Sequence, residues 1–256
     1  MCDFYPPCGI RAWFYLSMSR LSGFYYVKKG DMMFDRVEKF IGAEALSKIK
    51  NTCVAVIGLG GVGGYAVECL VRSGIENIII LDYDTVDISN INRQIISNTT
   101  NINKYKTEEW NNRIKLINPN TKVISLNIKL DSSNIDKLFS YKFEYLIDAI
   151  DDIKMKEEII KRCLNNNIGI ISSMGTGNKI KPSLLEITDI KNTSYDPIAK
   201  RIRKYMKDNN IKGKLPVVYS KEQNTKFEGS IPSMIFTPAV SGILCANYII
   251  RKIIEK

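Results

Sequence analysis

The run CVAVIGLGGVGG, residues 53–64, constrains the fold of this chain more than any other part of its sequence. Its first five residues, 53–57, are apolar and predict a short buried strand. Glycines then follow with the spacing GxGxxG, and the residues after them, up to Arg72, predict a helix. Residues 78–81 predict a second buried strand, which ends at Asp82. A strand, a helix and a strand in this order make a β-α-β unit, so the sheet must contain parallel strands joined by a right-handed crossover.

Strands and helices continue to alternate after this unit. The pattern predicts strands at residues 122–126, 145–150 and 169–173, and helices at 35–50, 105–117, 133–139 and 154–166. A last helix, apolar on all sides, is expected from about Ala239 to the C-terminus. Prolines and polar residues within the uncharged stretch 231–250 argue against a membrane span, and we expect no integral membrane segment. The alternation predicts the α/β class, with a Rossmann-like, doubly wound and mostly parallel sheet.

The glycine-rich turn predicts a nucleotide site. Between a strand and a helix, Gly58, Gly60, Gly61 and Gly63 let a phosphate approach the backbone at the N-terminus of the helix. Asp82 ends the next strand, where a carboxylate can hold ribose hydroxyls. The structural alternative is a tight turn with an aspartate that only caps the strand. The glycines do not by themselves distinguish NAD from ATP.

The segment VDISNINRQ, residues 86–94, crowds hydrogen-bonding side chains just after that strand. Arg93 can fork across two phosphate oxygens, and Lys106 opens the next predicted helix within reach of the same pocket. An arginine and a lysine converging on a helix N-terminus suit a triphosphate that will be attacked. The alternative is a polar loop whose side chains satisfy their own backbone. Besides the glycines and Asp82, the predicted ATP ligands are Asp84, Ser89, Asn90, Asn92, Arg93, Gln94 and Lys106.

Three aspartates lie at the end of the predicted strand at 145–150. Asp148, Asp151 and Asp152, in LIDAIDD, lie where a parallel strand ends, and ligands bind at the carboxyl ends of such strands. A carboxylate there can hold Mg²⁺. The alternative role is an N-cap for the next helix, which Asp151 or Asp152 could fill. Both roles can coexist on different residues.

The positive charge of the chain is concentrated in one segment. Lys and Arg total 37 against 27 Asp and Glu, which gives a net charge of +10. Residues 191–226 alone contain ten Lys or Arg and three acids. Asp196 and Pro197 predict the start of a helix there, and its apolar stripe is Ile198, Ile202, Tyr205 and Met206. Its candidate nucleic-acid contacts are Lys200, Arg201, Arg203, Lys204 and Lys207. A solvated face and a membrane-surface helix are the alternatives.

Two residue types limit the chemistry. The chain has no His, which excludes a histidine base and a histidine-ligated metal. Its six Cys include no CxxC pair, which excludes a zinc ribbon and fits a reduced, cytoplasmic chain. An organellar presequence within residues 1–30 is the second option for location.

The segments GLGGVGGYAVECLVRSGI, LDYDTVDISNINRQ and LIDAIDD together resemble the adenylating enzymes of the ubiquitin-activating superfamily, over about residues 35–175. The resemblance implies the following roles: Gly61 lies against the phosphates, Asp82 binds the ribose, Asn90 and Arg93 contact ATP, Lys106 contacts its phosphates, and Asp151 coordinates Mg²⁺. Arg36, in FDRVEKFIG, resembles the N-terminal arginine with which this family reaches the ATP of the partner subunit. The resemblance therefore implies a homodimer with Arg36, Arg93, Lys106 and Asp151 as catalytic residues.

The second half of the chain narrows the resemblance. The run SSMGTGNKIKPSLLEITDIKNTSYDPIAKRIRKYMKDNNIKGK and the closing GSIPSMIFTPAVSG are similar to the tRNA threonylcarbamoyladenosine dehydratases, which extends the match to about residues 33–256. This implies an AMP-forming cyclo-ligase that uses ATP and Mg²⁺, with a monovalent cation as a further candidate, and acts on tRNA carrying threonylcarbamoyladenosine. The expected organisation is a poorly ordered extension, 1–32, and one ThiF-like domain with an ATP-binding core, 33–175, and a tRNA and substrate region, 176–256.

Two other functions remain open at the level of the sequence. One is adenylation of the C-terminal glycine of a ubiquitin-like sulfur carrier, although such enzymes typically carry two CxxC zinc pairs that this chain lacks. The other is a nucleotide-sensing RNA-binding protein without turnover. A bacterial member of the family that this chain resembles has a Cys shortly after its GKL segment. The corresponding GKLPVVYS has none, so the resemblance argues against a cysteine-dependent sulfur step. A sulfur- or electron-supplying partner is left open.

Overall fold

The computed structural model describes residues 33–223, 229 and 231–255, and the extension predicted over residues 1–32 lies outside them. The chain divides into two units, Met1–Arg36 and Val37–Lys256. Apart from the first two residues of α1, the helices and strands of the described residues belong to the second unit. In chain order they are α1 (Asp35–Ile41), α2 (Ala43–Asn51), β1 (Cys53–Ile57), α3 (Gly63–Arg72), β2 (Asn77–Leu81), α4 (Lys106–Ile117), β3 (Lys122–Leu126), α5 (Ile135–Phe139), β4 (Tyr145–Asp148), α6 (Ile153–Asn165), β5 (Gly169–Ser173), β6 (Leu185–Asp189), α7 (Pro197–Asp208), β7 (Pro216–Ser220) and α8 (Phe236–Ile254).

Seven strands form one sheet in the order β3-β2-β1-β4-β5-β7-β6. All neighbouring pairs are parallel except β6 and β7, which are antiparallel. The prediction of a Rossmann-like, mostly parallel α/β sheet is confirmed. The strand order reverses between β1 and β4, so the loops that follow these two strands diverge. A crevice opens at such a switch point, and ligands bind there in open α/β sheets.

Helices cover both faces of the sheet because every central strand is apolar on both sides. Val54 and Val56 of β1 pack into a core with α3, α4 and α8, whereas Ala55 and Ile57 pack into a second core with α5, α6 and α7. All four side chains are fully buried. The basic helix α7 is therefore fixed by its apolar stripe, of which Ile202 and Met206 are buried.

Several predicted boundaries were wrong, each for a local reason. The helix expected over 35–50 is interrupted at Gly42, whose φ of 85° lies in the left-handed region that α-helices avoid. Strand β4 ends at Asp148 rather than at residue 150, because the chain turns there toward the crevice. Strands β6 and β7 were not predicted, and both extend the same sheet from within the segment 176–256.

The last helix was predicted to begin at about Ala239 and to be buried all round, and both details were wrong. Helix α8 begins at Phe236, and the side chains of Phe236 and Ile243 are 50% and 43% exposed. Only the opposite face is buried, against α3, where a Cβ on Gly242 would lie 2.1 Å from the carbonyl oxygen of Val62. Within residues 33–223 and 231–255, no helix is long and apolar enough to cross a membrane.

Candidate nucleotide site

A cavity of about 620 Å³ occupies the crevice at the carboxyl ends of β1, β2 and β4. Ten of the predicted site residues line it: Gly58, Gly60, Gly61, Asp82, Asp84, Asn90, Arg93, Gln94, Lys106 and Asp151. Gly63, Ser89 and Asn92, which were also predicted as ATP ligands, do not line it. The structure thus gathers residues from five separate stretches of sequence at one place, as the strand order requires.

The four glycines of the turn divide into two kinds. A Cβ on Gly58 would lie 2.7 Å from the carbonyl oxygen of Ala149, and one on Gly63 would lie 1.7 Å from that of Gly58. At these two positions the backbone geometry alone requires glycine. This is what a tight turn would require even if it bound no nucleotide. Gly60 meets only the Gln94 amide at 3.7 Å, and Gly61 lies beside Pro238. Both glycines line the cavity, and Gly60 is the one with open space beside its backbone, because a Cβ on Gly61 would lie 3.1 Å from Pro238.

Asp82 lies at the end of β2 and holds the turn in place. Its carboxylate accepts hydrogen bonds from the backbone N–H of Leu59 at 2.6 Å and of Asp84 at 2.8 Å. Burial raises the pKa of Asp82, although the nearby Lys106 ammonium and the two backbone N–H groups act in the opposite direction. The carboxylate oxygens face the cavity edge, where a ribose hydroxyl could donate to them.

Some side chains of the segment 86–94 hydrogen-bond to the protein itself, and others line the cavity. The Ser89 hydroxyl donates to Asp87, and the Asn92 amide donates to the carbonyl oxygen of Ser233 at 2.9 Å. Arg93 is fixed at one end, because its Nη1 donates to the carbonyl oxygen of Ser89 at 2.7 Å. Gln94 is buried, and its Oε1 finds no hydrogen-bond donor among the described residues. A buried oxygen in a cavity wall without a donor from the protein is available to a ligand or a water.

Lys106 is the first residue of α4 and is only 3% exposed. Its ammonium lies 2.8 Å from Oδ2 of Asp84, whose side chain is 46% exposed. The lysine is therefore held against the cavity wall by a carboxylate that remains open to solvent. Such a group can neutralise phosphate charge without having to be ordered on binding.

The three aspartates of LIDAIDD take three different roles. Asp152 caps α6 by accepting from the backbone N–H of Lys154 and Met155. Asp148 is fully buried and pairs with Lys156 at 2.8 Å. Asp151 is exposed in the cavity, and no hydrogen bond or ion pair joins its carboxylate to another described residue. Asp151 is therefore the one of the three that is free to accept a cation.

The cavity wall fits a hard divalent cation bound together with a nucleotide. Asp84 raises the pKa of Tyr83, and burial and then Asp151, Asp82 and Asp152 raise it further, so four carboxylates act on one side chain. In the described part of the chain, no cluster of three or more Cys, Asp or Glu could hold a metal alone. Mg²⁺ is usually bound by one or two carboxylates plus substrate phosphates, which is what Asp151 can offer.

The candidate tRNA contacts on α7 differ in whether their side chains already have partners within the protein. Lys200, Lys204 and Lys207 are exposed. Arg201 lies 3.1 Å from Glu157, and Nη1 of Arg203 donates to the carbonyl oxygens of Ile190 and Thr193. The lysines are thus more available to a polyanion than the arginines, and all five roles stay predictions. Arg36 is exposed in the first turn of α1, and its role toward a partner subunit stays a prediction as well.

Sequence reasoning missed part of the cavity wall. Lys129 and Leu130 follow β3, and Lys129 lies over the Tyr83 ring at 5.3 Å. The rule that ligands bind at carboxyl ends of parallel strands could have found these two residues. Thr176, Ser233 and Pro238 also line the cavity and carry no comparable local signal.

Comparisons with known proteins agree with this geometry. The ThiF family model matches residues 34–256 of the chain. The tRNA threonylcarbamoyladenosine dehydratase of Bacillus subtilis is 35% identical over 240 residues, 87% of this chain and 94% of that protein. The dehydratase of Escherichia coli is 35% identical over 196 residues, 74% of this chain and 73% of that protein. Crystal structures of the E. coli dehydratase, TcdA, with AMP and with ATP are 28% and 29% identical, each with a TM-score of 0.84 and covering 90% of this chain and 98% of that one.

The fold and the cavity define a nucleotide-binding α/β protein with a Rossmann-like sheet. The match over residues 34–256 then places it more closely: the chain belongs to the ThiF family. The resemblance to adenylating enzymes, inferred from the glycine turn and the SNINRQ segment, is confirmed.

Proposed function

We propose that this protein is an ATP-dependent, AMP-forming dehydratase that cyclises N6-threonylcarbamoyladenosine in tRNA through a carboxyl-adenylate. The observation that carries the proposal is the cavity itself. Arg93, Lys106 and the unpaired Asp151 converge at the switch point of the sheet. The similarity to dehydratases of B. subtilis and E. coli extends well beyond this cavity, into the second half of the chain.

The chemistry needs no general base. The substrate carboxylate is already ionised at neutral pH and attacks the α-phosphate of ATP, which gives an acyl-adenylate and pyrophosphate. Arg93 and Lys106 stabilise the charge that develops on the phosphates, and the N-terminus of α3 faces the same oxygens. A neighbouring nitrogen of the threonylcarbamoyl group then attacks the activated carbonyl, the ring closes and AMP leaves. This sequence of steps suits a chain without histidine.

Mg²⁺, held by Asp151 together with the phosphates, would neutralise phosphate charge when bound. The chain's own contribution is to keep one carboxylate of the 148–152 segment unpaired while its neighbours cap α6 and pair with Lys156. A role for a monovalent cation is a further expectation carried only by the family resemblance.

The substrate we propose is tRNA, bound in part by Lys200, Lys204 and Lys207 of α7. These lysines are exposed on one helix whose opposite face is anchored in the core, which supports a rigid basic surface. A tRNA substrate and four reduced cysteines in the described part of the chain support a cytoplasmic location.

We also propose a homodimer in which Arg36 serves the ATP site of the partner subunit. Met234, Phe236 and Ile243 are 43–50% exposed at the start of α8, which supports an apolar contact between copies. Mixing Arg36→Ala and Asp151→Asn subunits tests both ideas. If Arg36 acts on the partner, one of the two sites in a mixed dimer is intact and activity returns. If it acts on its own subunit, mixing restores nothing.

The central experiment incubates the protein with ATP, Mg²⁺ and tRNA carrying threonylcarbamoyladenosine and weighs the nucleosides. The expected product is lighter by one water, with AMP formed in step. ATP with a methylene bridge between the α- and β-phosphates should block the reaction, whereas a β,γ-methylene bridge should not. Formation of ADP instead of AMP would contradict adenylation, and unchanged tRNA with folded protein would contradict the assignment.

Adenylation of a ubiquitin-like carrier is not favoured. The chain has no CxxC pair, and its similarity to the B. subtilis dehydratase covers 87% of the chain. AMP formation or ATP–pyrophosphate exchange that requires a carrier protein ending in Gly-Gly, and does not require tRNA, would favour the carrier function instead.

A further inference from the structure

A buried ion pair joins the two ends of the cavity segment that contains Asp151. Asp148 is the last residue of β4 and Lys156 lies in the second turn of α6, and their side chains are 0% and 1% exposed. Lys156 Nζ lies 2.8 Å from Asp148 Oδ2. The four residues between β4 and α6, 149–152, all line the cavity, whereas Asp148 and Lys156 do not. The pair therefore lies beneath the cavity and cannot contact a substrate.

Every polar group of the pair is satisfied inside the protein. Lys156 Nζ also donates to the carbonyl oxygen of Ser173 at 3.1 Å and to Ser172 Oγ at 3.3 Å. Ser172 Oγ donates to Asp148 Oδ2 at 2.6 Å, and the N–H of Ile150 donates to Asp148 Oδ1 at 3.3 Å. The network thus connects β4, β5, α6 and the first residues of the cavity segment.

Stability alone does not account for this arrangement. Two charges taken out of water are costly, and well-packed neutral residues often replace a buried pair without loss. The feature that the pair supplies is a second connection between β4 and α6, in addition to the four residues of chain. Asp151 has no side-chain partner of its own among the described residues, so its position depends on these flanking connections.

We propose that Asp148 and Lys156 are positioning residues, which hold segment 149–152 so that the Asp151 carboxylate meets the cation bound with the ATP phosphates. This inference rests on the proposed function for its chemistry and names residues that act through Asp151 rather than on the substrate. Partners that orient metal ligands typically change metal affinity by about 10- to 100-fold when they are lost. The effect should therefore appear in cation affinity and not in the affinity for ATP itself.

The main test is the double variant Asp148→Asn with Lys156→Met, because either substitution alone leaves one charge buried and unpaired. The asparagine keeps the acceptor for the N–H of Ile150 and can donate to Ser172, and the methionine keeps most of the lysine volume. Mn²⁺ serves as the probe, and its binding to the protein–ATP complex is followed by electron paramagnetic resonance. ATP binding without a divalent cation is measured by calorimetry, and folding by urea unfolding.

For the folded double variant, we expect Mn²⁺ affinity in the ATP complex to fall by about tenfold or more. The Mg²⁺ concentration for half-maximal AMP formation should rise in parallel, while metal-free ATP affinity changes by less than about twofold. Unchanged Mn²⁺ affinity in the folded variant would overturn the proposal and leave the pair a purely structural feature. The control is Glu158→Gln with Arg162→Met, which removes the Glu158–Arg162 pair of α6, at 2.8 Å, together with the contact of Arg162 with Asp136, and should leave Mn²⁺ affinity unchanged.

Ser172→Ala keeps the test decisive if the double variant does not fold. It removes one hydrogen bond to Asp148 and leaves the ion pair, so we expect a loss of Mn²⁺ affinity that is measurable but smaller than that of the double variant. No loss would contradict the proposal. If wild-type protein binds Mn²⁺ and ATP but forms no AMP with tRNA, the proposed function fails, and the Mn²⁺ measurements still decide the role of the pair.

Discussion

The nucleotide cavity and helix α7 both present cations, and they do so in opposite ways. In the cavity, Lys106 is 3% exposed and paired with Asp84, and Arg93 is fixed by the carbonyl oxygen of Ser89. On α7, Lys200 and Lys204 point into solvent. A buried, fixed cation acts strongly on one atom, because the surrounding dielectric is low and no ordering is needed. Each exposed lysine attracts a phosphate only weakly, because salt screens the interaction. Several such lysines together can still bind a polyanion.

This difference teaches how substitutions should behave in each region. One change in the cavity should remove most of an activity, whereas only several changes together should matter on α7. The four predictions below test that contrast, beginning with the backbone that makes the cavity rigid.

The largest effect is expected at Gly63. In Gly63→Ala, the new Cβ would lie 1.7 Å from the carbonyl oxygen of Gly58, and neither backbone segment can yield. We expect a loss of more than about 3 kcal/mol in the free energy of unfolding, measured with urea. Gly60→Ala is the matched control in the same turn, because its nearest neighbour is a side-chain atom at 3.7 Å. Equal stability of the two variants would show that the turn is more adaptable than its geometry indicates.

The second prediction compares two lysines that are two residues apart. Lys106→Met should lower kcat for AMP formation by about 10²- to 10³-fold, the usual cost of losing one preorganised charge-stabilising group. Its stability should change little, because Asp84 is 46% exposed and stays hydrated. Lys104→Met, at an exposed lysine that lies 3.8 Å from Glu109, should change kcat by less than about twofold. Similar kinetics of the two variants would remove the contrast between buried and exposed cations.

The third prediction concerns the exposed lysines of α7. Replacing Lys200, Lys204 and Lys207 together by Gln should raise KM for tRNA by about tenfold and leave KM for ATP unchanged. The slope of log KM against log salt concentration should fall by about three, one unit for each lysine that contacts a phosphate. The control replaces Lys122, Lys137 and Lys142, three exposed lysines on other parts of the fold, and makes the same change in net charge. If both triple variants behave alike, the effect is one of total charge and α7 is not a binding surface.

The same contrast explains how much of the molecule could be predicted from sequence. The strands β1, β2 and β5 are buried on both sides, so each is a continuous apolar run that identifies it. Strand β6 lacks this signal, and the apolar run in β7 is short, from Val217 to Tyr219. β6 is an edge strand whose residues are only partly buried and include Glu186 and Asp189, and β7 begins with Pro216. Their place in the sheet depends on pairing between distant segments, which no local pattern records.

The site shows a similar division. The glycine turn, Asp82 and the SNINRQ segment could be predicted because each has a chemical pattern within a few residues. The division of roles among Asp148, Asp151 and Asp152 could not, because it depends on which carboxylate meets the N–H groups of α6 and which meets Lys156. A lysine in a helix is normally expected at the surface, so its burial at residue 156 had no signal in the sequence.

The last prediction uses the raised pKa of Asp82. Burial favours the protonated carboxyl, so this group takes up a proton at a higher pH than an ordinary aspartate. Its ionised form therefore costs folding stability: the cost is absent below the unfolded-state pKa and fully present above the folded-state pKa.

Ionisation of Asp82 should instead strengthen ligand binding, because a ribose hydroxyl donates a hydrogen bond to the ionised form. We expect the affinity for adenosine, which has no phosphate to titrate, to fall as pH is lowered from about 7.5 to about 4.5. The decrease should not exceed about a hundredfold, since one hydrogen bond to a charged group contributes about 1.5–3 kcal/mol. Asp82→Asn should bind adenosine more weakly at neutral pH and with no dependence on pH over this range. A wild-type affinity that is equally flat would mean that Asp82 holds only the backbone of the turn, through Leu59, and not the ribose.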